Sequence, residues 1–389
     1  MRKGKTGTLP KGVGNNGKPI VAVISSHTQS LFWFRMNMME DFIAAGYDVI
    51  AVGQEPADAW REKFSARGIQ YFQLYVQRNG TNPFCDLVTL TQLYRFLRRV
   101  RPSRVFCYQA KTVIYTCLAA RLLQLPQIYS LIAGVGSVFH GRSRLGKLVK
   151  KIMVTEYKVA LKGCRQVIFQ NSDDLDEFVK AGIVTREKCR MIHGSGVDLE
   201  RFCPMPQPDQ AVFILIARLI KDKGIMEYLE ACREFKRLHS QARCMLVGPY
   251  DTNPSALRKE ELQKYIEDGS VEYFGEQEDV RPFLAQASVF VLPSYHEGTP
   301  KTVLESMACA RAVITTDAPG CRETVADGVN GFLVPIGNAS AVVEKMELLF
   351  RKPELVKKMG EEGRKLAEEK YDVKKVNRSI MDIMEMKLP

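Results

Sequence analysis

The sequence predicts an α/β fold with two doubly wound, Rossmann-like parallel sheets that face a cleft. Short apolar runs alternate with helical patterns from Ile20 onward, and the 389 residues exceed one ordinary core. The first series of expected strands lies near 20–26, 48–53, 70–76, 103–108, 128–133 and 166–170. The second series lies near 211–217, 243–248, 271–274, 289–293, 312–316 and 332–335. Each series is sufficient for one sheet covered by helices on both faces.

A segment rich in Gly, Ser and Pro at 193–208 separates the two series and is typical of a connection between domains. We therefore expect an N-terminal domain over 19–203 and a second domain over 204–370, followed by a C-terminal helix within 371–389. Residues 1–18 are basic and Gly-rich without apolar periodicity, so we expect a disordered tail there.

The composition indicates a soluble, cytoplasmic protein with an anionic partner. Hydrophobic residues make up 46% and charged residues 26%, and 56 basic against 44 acidic side chains give a net charge of +12. This charge suits a nucleotide, a lipid phosphate, a membrane surface or a nucleic acid. The ten cysteines form no C-x-x-C pair, so neither zinc nor a disulfide framework is indicated. No apolar run is long enough for a transmembrane helix or a signal peptide.

The stretch 289–309, VFVLPSYHEGTPKTVLESMAC, predicts a strand, a polar loop and a helix whose first residue is Pro300. Amide groups at the start of such a helix can hold a diphosphate. Glu305, in the second turn, can accept hydrogen bonds from a ribose diol. Glu297, in the loop, can accept them from whatever group the phosphate carries. Two cations of another βα turn, Arg218 and Lys223, can converge on the same diphosphate.

The motifs EGTPKTVLE and R-x4-K-G resemble the donor site of the retaining glycosyltransferases of the family-four type, which have the GT-B fold. The resemblance implies that Glu297 contacts the donor sugar and Glu305 contacts the ribose. It also implies that Arg218 and Lys223 neutralise the leaving nucleoside diphosphate, with no metal and no cofactor. In this fold the last helix, within 371–389, crosses back to the first domain.

The same resemblance implies further donor-binding residues in the loops that follow neighbouring strands. These are His296, Gly298, Thr299, Pro300, Lys301, Gly248, Phe274, Gly275 and Val280. Phe274 and Gly275 lie where relatives bind the base through backbone groups, and Val280 helps to pack that base. The base is usually uracil, although these side chains do not separate uridine from guanosine.

Acceptor-binding candidates follow strands of the first domain. They are His27, Lys111, Gly134, Gly136 and His140. His27 looks like the family's first-loop residue, and Lys111 could meet an acceptor phosphate. A solvent-exposed loop histidine and a surface lysine at a helix start are the alternatives. Relatives often carry a histidine in the loop after the fourth strand, and Gln109 stands near that place here. This departure argues against a histidine general base in the first domain.

The helical pattern from Arg144 to Arg165 places a dense basic face opposite an apolar face. The basic face holds Lys147, Lys150, Lys151, Lys158 and Lys162, and the apolar face holds Leu148, Val149, Ile152, Met153, Val159 and Ala160. We expect the apolar face to cover the sheet and the basic face to contact an anionic membrane surface electrostatically. A solvated basic face on a core helix is the alternative.

A D-x-D sequence at Asp174 and Asp176 holds a metal in some transferases, but here it stands where a helix cap and an acidic first turn belong. We therefore expect no metal.

The combined features predict a retaining, metal-independent glycosyltransferase. It would move a hexose or N-acetylhexosamine, N-acetylgalactosamine being favoured, from a UDP-sugar to a polyprenyl-diphosphate-linked saccharide in bacterial glycan assembly. We expect it to be peripheral at the cytoplasmic face of the inner membrane. The alternative is a non-catalytic nucleotide-sugar or nucleic-acid binding protein on the same fold. Nucleic acid is not favoured, because no aromatic and basic residues interleave on a sheet face.

Overall fold

The computed structural model describes residues 17–77, 82–134, 144–208, 210–253 and 255–387, without the side chains of 144–146. The chain divides into two compact units. Unit 1 comprises the described parts of Met1–Phe169, Asp174–Ile192 and Asn377–Pro389, and unit 2 comprises Gln170–Asp173 and His193–Val376. Unit 2 thus begins at His193, before the expected boundary at 203/204. It also includes the four-residue segment Gln170–Asp173, which lies within the expected N-terminal domain. The expected N-terminal tail lies outside the described residues except for 17 and 18.

Unit 1 contains a seven-stranded parallel sheet in the order β3-β2-β1-β4-β5-β6-β7. Its strands are β1 (Ile20–Ile24), β2 (Asp48–Gly53), β3 (Gln70–Gln73), β4 (Arg104–Tyr108), β5 (Ile128–Ile132), β6 (Gln166–Phe169) and β7 (Cys189–Met191). Its helices are α1 (Thr28–Ala44), α2 (Ala57–Ser65), α3 (Pro83–Val100), α4 (Ala110–Leu122), α5 (Arg144–Ala160) and α6 (Ser172–Lys180). The strand order reverses between β1 and β4.

Unit 2 repeats this architecture with six parallel strands in the order β10-β9-β8-β11-β12-β13. The strands are β8 (Val212–Ile216), β9 (Arg243–Val247), β10 (Glu272–Tyr273), β11 (Val289–Leu292), β12 (Ala312–Thr316) and β13 (Gly331–Val334). The helices are α7 (Ile225–Leu238), α8 (Lys259–Glu267), α9 (Arg281–Gln286), α10 (Lys301–Ala308), α11 (Ala339–Arg351) and α12 (Pro353–Leu366). Here the order reverses between β8 and β11.

The predicted fold class is confirmed, since all twelve expected strands are present and parallel. They form where β-branched and aromatic residues run together, and β1, β5, β8 and β12 are buried along their whole length. The thirteenth strand, β7, was not predicted. It has three residues, of which Arg190 and Met191 are exposed, so it carries no apolar run.

A last helix, α13 (Val373–Ile383), follows a π-helical turn at Ala367–Tyr371. From Asn377 onward the chain belongs to unit 1. The Asn377 side chain donates to Asp41 of α1 at 2.7 Å, and Arg104 of β4 donates to the carbonyl oxygen of Met384 at 2.7 Å. The end of the chain is therefore held on unit 1 by polar contacts to α1 and β4.

The apolar side of α5 differs from the expectation. Leu148, Ile152 and Val159 were expected to cover the sheet, but they are 55%, 50% and 43% exposed. Two of the expected residues, Met153 and Ala160, do pack on the core, together with Val154 and Tyr157. Periodicity identifies which residues share a side of a helix, but it does not reveal how far the helix extends beyond its neighbours. Within the described ranges, no helix combines the length and apolar character needed to cross a membrane.

Candidate active site

The loops after β8 and β11 meet where the strand order of unit 2 reverses, which is where open α/β sheets bind ligands. The backbone N–H of Tyr295 and the hydroxyl of Ser294 both donate to the carbonyl oxygen of Asp222, at 3.0 and 3.1 Å. Gly224 begins α7 with a φ of +70°, and a Cβ there would overlap the carbonyl of Pro293. The two loops are therefore packed too closely at this point for any side chain.

An ion pair joins the same two loops. Lys223 Nζ contacts Glu297 Oε1, and the two side chains are only 19% and 12% exposed. The second expected cation, Arg218, donates to Asp251 Oδ2 at 2.6 Å. The sequence indicated both cations but not these partners. Asp251 follows β9 and belongs to none of the motifs, and only the three-dimensional order of β8 and β9 brings it to Arg218.

Hydrogen bonds fix the backbone of the Glu297 loop from two sides. Glu297 N–H donates to the carbonyl oxygen of Pro319 at 2.9 Å. The side-chain amide of Asn171 donates to the carbonyl oxygens of Glu297 and Gly298, at 3.1 and 3.2 Å. Thr299 donates to the carbonyl of Gln170 at 3.1 Å. The segment Gln170–Asp173 thus braces this loop, a role that its sequence did not indicate.

Helix α10 begins one residue later than expected. Pro300 is its N-cap, with φ −70° and ψ 110°, and not its first helical residue. The carbonyl of Pro300 accepts hydrogen bonds from Val303 and Leu304, and no side chain caps this end of the helix. The start of α10, at Lys301, keeps the positive end of its dipole at the carboxyl edge of the sheet.

Glu305 lies in the second turn of α10 with a half-buried side chain. Burial raises the pKa of its carboxyl group; the positive charges of Lys301 and Arg201 partly offset this, and Asp279 adds to it. These charges place Glu305 beside the loop that leads into α9. A carboxylate that is hard to ionise gains from any ligand that donates hydrogen bonds to its charged form.

The loops after β9 and β10 lie next to each other in unit 2. Gly248 N–H donates to the carbonyl oxygen of Gly275 at 2.8 Å, and the Gly248 carbonyl accepts from Tyr273 at 2.9 Å. The ring of Phe274 contacts that of Phe283 in α9, with centroids 5.1 Å apart. Val280 is the N-cap of α9 and packs on the core. His296, further along the sheet edge, is half-buried.

In unit 1 the loops after β1 and β4 meet at the other reversal of strand order. Ser25 and Ser26 of the β1 loop both donate to the side-chain oxygen of Gln109. His27 Nε2 lies 3.9 Å from Glu55 Oε1, and Lys111 pairs with Asp86 of α3 at 2.6 Å. Gly134 follows β5 with a φ of +105°. Gly136 and His140 lie outside the described residues.

The lysines of the α5 region differ in their surroundings. Lys147, Lys151 and Lys162 are exposed, the last in the turn Leu161–Gly163. Lys150 pairs with Glu177 of α6 at 2.8 Å, and Lys158 is half-buried. The solvated part of the basic face is therefore smaller than the sequence pattern indicated.

The D-x-D aspartates lie in the first turns of α6. Asp174 is buried, and Asp176 accepts from Arg186 at 2.5 Å. The preceding Asp173 pairs with Arg322 at 2.8 Å. Among the residues that the structure describes, no group of three or more His, Cys, Asp or Glu side chains is arranged to hold a metal ion.

Sequence comparisons match both halves of the chain to glycosyltransferases. Residues 198–366 match the family described as "Glycosyl transferases group 1", and residues 21–171 match "Glycosyl transferase 4-like". An N,N'-diacetylbacillosaminyl-diphospho-undecaprenol alpha-1,3-N-acetylgalactosaminyltransferase of Campylobacter jejuni is 26% identical, over 86% of this chain and 90% of its own length. A UDP-Gal:alpha-D-GlcNAc-diphosphoundecaprenol alpha-1,3-galactosyltransferase of Escherichia coli is 24% identical, over 67% of this chain and 70% of its own length.

A solved structure supports the fold. Sucrose-phosphate synthase from Thermosynechococcus elongatus superposes with a TM-score of 0.79 at 18% identity, over 95% of this chain and 98% of its own. The protein described here belongs to the group 1 glycosyltransferases of GT-B fold. The resemblance inferred from EGTPKTVLE and R-x4-K-G is thereby confirmed at the level of the family.

Proposed function

We propose that this protein transfers a sugar, N-acetylgalactosamine being the favoured one, from a UDP-sugar to a saccharide carried on undecaprenyl diphosphate or a similar polyprenyl diphosphate. The observation that carries the proposal is the Lys223–Glu297 ion pair at the reversal of strand order in unit 2. It brings a phosphate-binding type of cation and a sugar-binding type of carboxylate to one point beside the start of α10.

The ion pair supplies a way to couple diphosphate binding to sugar binding. Without a ligand, Lys223 is neutralised by Glu297 and Arg218 by Asp251. A nucleoside diphosphate at the start of α10 brings at least two negative charges, which compete for both cations. As Lys223 turns towards phosphate, Glu297 is released to accept hydrogen bonds from hydroxyl groups of the sugar.

The nucleoside is assigned to Glu305 and to the loops after β9 and β10. Glu305 accepts hydrogen bonds from the ribose hydroxyls, which favours its charged form and offsets the cost of burial. Gly248, Phe274, Gly275 and Val280 receive the base. Gly275 suits this role because its φ is +69° and no atom lies within 4 Å of the position of a Cβ.

The acceptor is assigned to unit 1, through His27, Lys111 and Gly134, with Gly136 and His140 as further candidates from the sequence alone. The names of two relatives support the acceptor class, since both act on a sugar linked through diphosphate to undecaprenol. One of those names specifies an N-acetylgalactosaminyltransferase and the other a UDP-sugar donor. The protein would therefore work in the cytoplasm at the inner membrane, where it extends a lipid-linked glycan.

We further propose that the sugar is transferred with retention and without a metal. The acceptor hydroxyl would attack from the side of the departing diphosphate, which helps to take its proton. Lys223 and Arg218 would stabilise the charge that develops on the leaving oxygen as the bond to the sugar opens.

A donor screen tests the proposal directly. The protein is incubated with a short-chain polyprenyl-diphosphate saccharide and, in parallel, with UDP-N-acetylgalactosamine, UDP-N-acetylglucosamine, UDP-galactose or UDP-glucose. We expect turnover to be fastest with UDP-N-acetylgalactosamine, and NMR of the product to show the anomeric configuration of the donor. Binding of UDP-sugars without turnover on any polyprenyl acceptor would instead support a non-catalytic binding protein.

We also propose that α5 contacts an anionic membrane surface, and its exposed apolar residues support this. Burial and the charge of Glu156 in α5 both raise the pKa of Tyr115 in α4, so the two residues lie close together. Twelve residues of α5 precede Glu156, a rise of about 18 Å, whereas the part of α4 before Tyr115 rises only about 8 Å. The first turns of α5, with Lys147 and Leu148, therefore project beyond the start of α4, and the exposed Lys151 and Ile152 lie about level with that start.

Vesicle sedimentation separates a membrane contact from a solvated surface. Lys147→Glu with Lys151→Glu should weaken binding to vesicles that contain phosphatidylglycerol, by about 2 kcal/mol or more from the two lost charges. Leu148→Ser with Ile152→Ser should weaken the part of the binding that survives high salt. The matched control, Lys357→Glu with Lys358→Glu on exposed positions of α12, makes the same change in net charge. Equal sedimentation of all variants would contradict the assignment.

A further inference from the structure

Gln109 stands out in unit 1 because its backbone and its side chain are both unusual. It immediately follows β4, and its φ of +73° and ψ of +141° lie in a region that L residues other than glycine rarely adopt. Three donors converge on its side-chain oxygen: Ser26 N–H at 2.9 Å, Ser26 Oγ at 2.5 Å and Ser25 Oγ at 2.9 Å. A strained residue of this kind persists only where its surroundings hold it.

The orientation of the Gln109 amide follows from its partners. One of the donors is a backbone N–H group, which cannot accept, so the atom facing the β1 loop has to be the oxygen. Gln109 therefore acts on the β1 loop as a hydrogen-bond acceptor. No described residue accepts a hydrogen bond from its side-chain nitrogen.

The three hydrogen bonds continue through the β1 loop to His27. Ser25 Oγ accepts from the backbone N–H of His27 at 3.1 Å and lies 3.1 Å from Ser30 Oγ. Ser30 Oγ in turn donates to the carbonyl oxygen of His27 at 2.7 Å and contacts the hydroxyl of Tyr108 at 2.8 Å. Both backbone groups of His27 are thus held by side chains that Gln109 and its neighbour Tyr108 anchor.

We infer that Gln109 is a positioning residue, whose side-chain oxygen fixes the β1 loop so that His27 is held in place for the acceptor substrate. The inference rests on the proposed function and on the assignment of the acceptor to unit 1. Gln109 itself need not touch substrate. The neutral oxygen performs this task, and it stays a hydrogen-bond acceptor at every pH at which the protein is folded.

Two substitutions distinguish the role of the side-chain oxygen of Gln109 from that of its nitrogen. Gln109→Glu keeps an acceptor for Ser25 and Ser26 but removes the N–H donors, whereas Gln109→Met keeps the length of the side chain and removes both. We expect Gln109→Met to raise KM for the polyprenyl acceptor about tenfold or more, with KM for the UDP-sugar unchanged. Gln109→Glu should stay within about threefold of the wild type in both.

All variants are compared at one pH, because Gln109→Glu adds a carboxylate to the charged and titratable groups that surround the site in the wild type. These groups are Glu55 beside His27, Arg35 and Tyr108 on the far side of Ser30, and Lys111 with Asp86. Gln92→Glu is the matched control, since Gln92 also accepts from a backbone N–H group in unit 1, that of Tyr75 at 2.9 Å. It should leave both KM values unchanged.

A double-mutant cycle tests whether Gln109 acts through His27. Gln109→Met combined with His27→Ala should be no worse than His27→Ala alone, because the positioned group is already absent. Additive losses would overturn the inference, and so would an unchanged acceptor KM in Gln109→Met. A Gln109→Glu variant as poor as Gln109→Met would place the function on the side-chain nitrogen and would also overturn it.

Folding and function are checked separately. If Gln109→Met does not fold, Ser26→Ala carries the test, because it removes one of the three donors and should raise the acceptor KM less, but in the same direction. An unchanged acceptor KM in Ser26→Ala would then overturn the inference. A wild-type protein that turns over no UDP-sugar would reject the proposed function, and with it the role of Gln109. Normal wild-type turnover with any of the contrary variant results would reject the role of Gln109 alone.

Discussion

The two units of this protein share one strand topology, but different kinds of interaction join their loops where the strand order reverses. In each unit the connections after two neighbouring strands run in opposite directions along the sheet, and the loops that follow these two strands meet. In unit 2 the meeting is ionic, through Lys223 and Glu297. In unit 1 it is neutral, through Ser25, Ser26 and Gln109. The topology determines where a site can form, and a few loop residues determine which ligand it suits.

This difference accounts for the division of labour that we propose. The charges in unit 2 form two cation–carboxylate pairs that a diphosphate can reorganise, so ligand binding there changes the partners of existing groups. The network in unit 1 has no net charge and holds a loop still. A donor that carries a diphosphate suits the first arrangement, and an acceptor hydroxyl that has to be placed accurately suits the second.

The largest effect is expected from removing the carboxylate of the ionic site. Glu297→Ala should lower kcat by about 100-fold or more, because the partner that we propose for Glu297 is the sugar on which charge develops as the leaving bond opens. UDP should bind at least as tightly as to the wild type, since UDP lacks the sugar and the substitution frees Lys223 from a carboxylate that competes with phosphate. Steady-state kinetics and calorimetry on the same preparation check both statements. Weaker UDP binding with unchanged kcat would show that Glu297 binds the nucleotide instead.

The second carboxylate of unit 2 should behave in the opposite way. Glu305→Ala should raise the dissociation constant of UDP about 10- to 100-fold, as expected for the loss of hydrogen bonds to a charged group at about 1.5–3 kcal/mol. Calorimetry with UDP and with uracil distinguishes the ribose contact from a general loss of the pocket. Glu297→Ala serves as the control. If Glu305→Ala retained its affinity and Glu297→Ala lost it, the donor would be placed the wrong way round.

The comparison also shows how far the sequence alone leads. The sequence predicts twelve of the strands, and it shows the motifs around Arg218, Lys223, Glu297 and Glu305. Apolar runs and short-range spacings of this kind lie within single segments of the chain. The pairing of Lys223 with Glu297 was not predictable, since its two residues lie far apart in the chain and each also suits a ligand.

Residues that act across long sequence separations were missed altogether. Asn171 braces Glu297 and Gly298 from the end of β6, and Asp251 meets Arg218 from the loop after β9. Neither belongs to a recognisable spacing, so only the folded chain reveals them. The exposed residues of α5 were misplaced for a related reason, because periodicity describes one helix and exposure depends on its neighbours.

The pH dependence of UDP binding gives a smaller and more specific test of unit 2. Burial raises the pKa of Glu305, and in the proposed site its ionised form accepts the hydrogen bonds of the ribose hydroxyls better than the neutral acid does. UDP affinity should therefore fall as the pH drops through that raised pKa, by at most about tenfold per pH unit. Glu305→Gln should abolish this part of the dependence, which calorimetry across the pH range would show.

The same substitution has a predictable effect on the stability of the free protein. A carboxyl group with a raised pKa in the folded state stabilises the fold below its unfolded pKa, and this contribution is lost as the pH rises through the folded pKa. Glu305→Gln removes the titrating group, so the variant does not lose this stability as the pH rises. The free variant should consequently melt at a higher temperature than the wild type above the raised pKa. An equal melting temperature there would show that the Glu305 carboxylate is not destabilised.

The smallest expected effect is that of removing divalent metal. In the site that we propose, Arg218, Lys223 and the start of α10 meet the charge of the diphosphate, and the D-x-D aspartates are engaged elsewhere, with Asp176 on Arg186. Turnover should therefore be the same, within error, after dialysis against EDTA as before it. A magnesium-dependent nucleotidyltransferase, treated in parallel, verifies that the chelator has removed the metal. If activity were lost and then restored by Mn²⁺ or Mg²⁺, the leaving diphosphate would need a cation that the side chains of unit 2 do not supply.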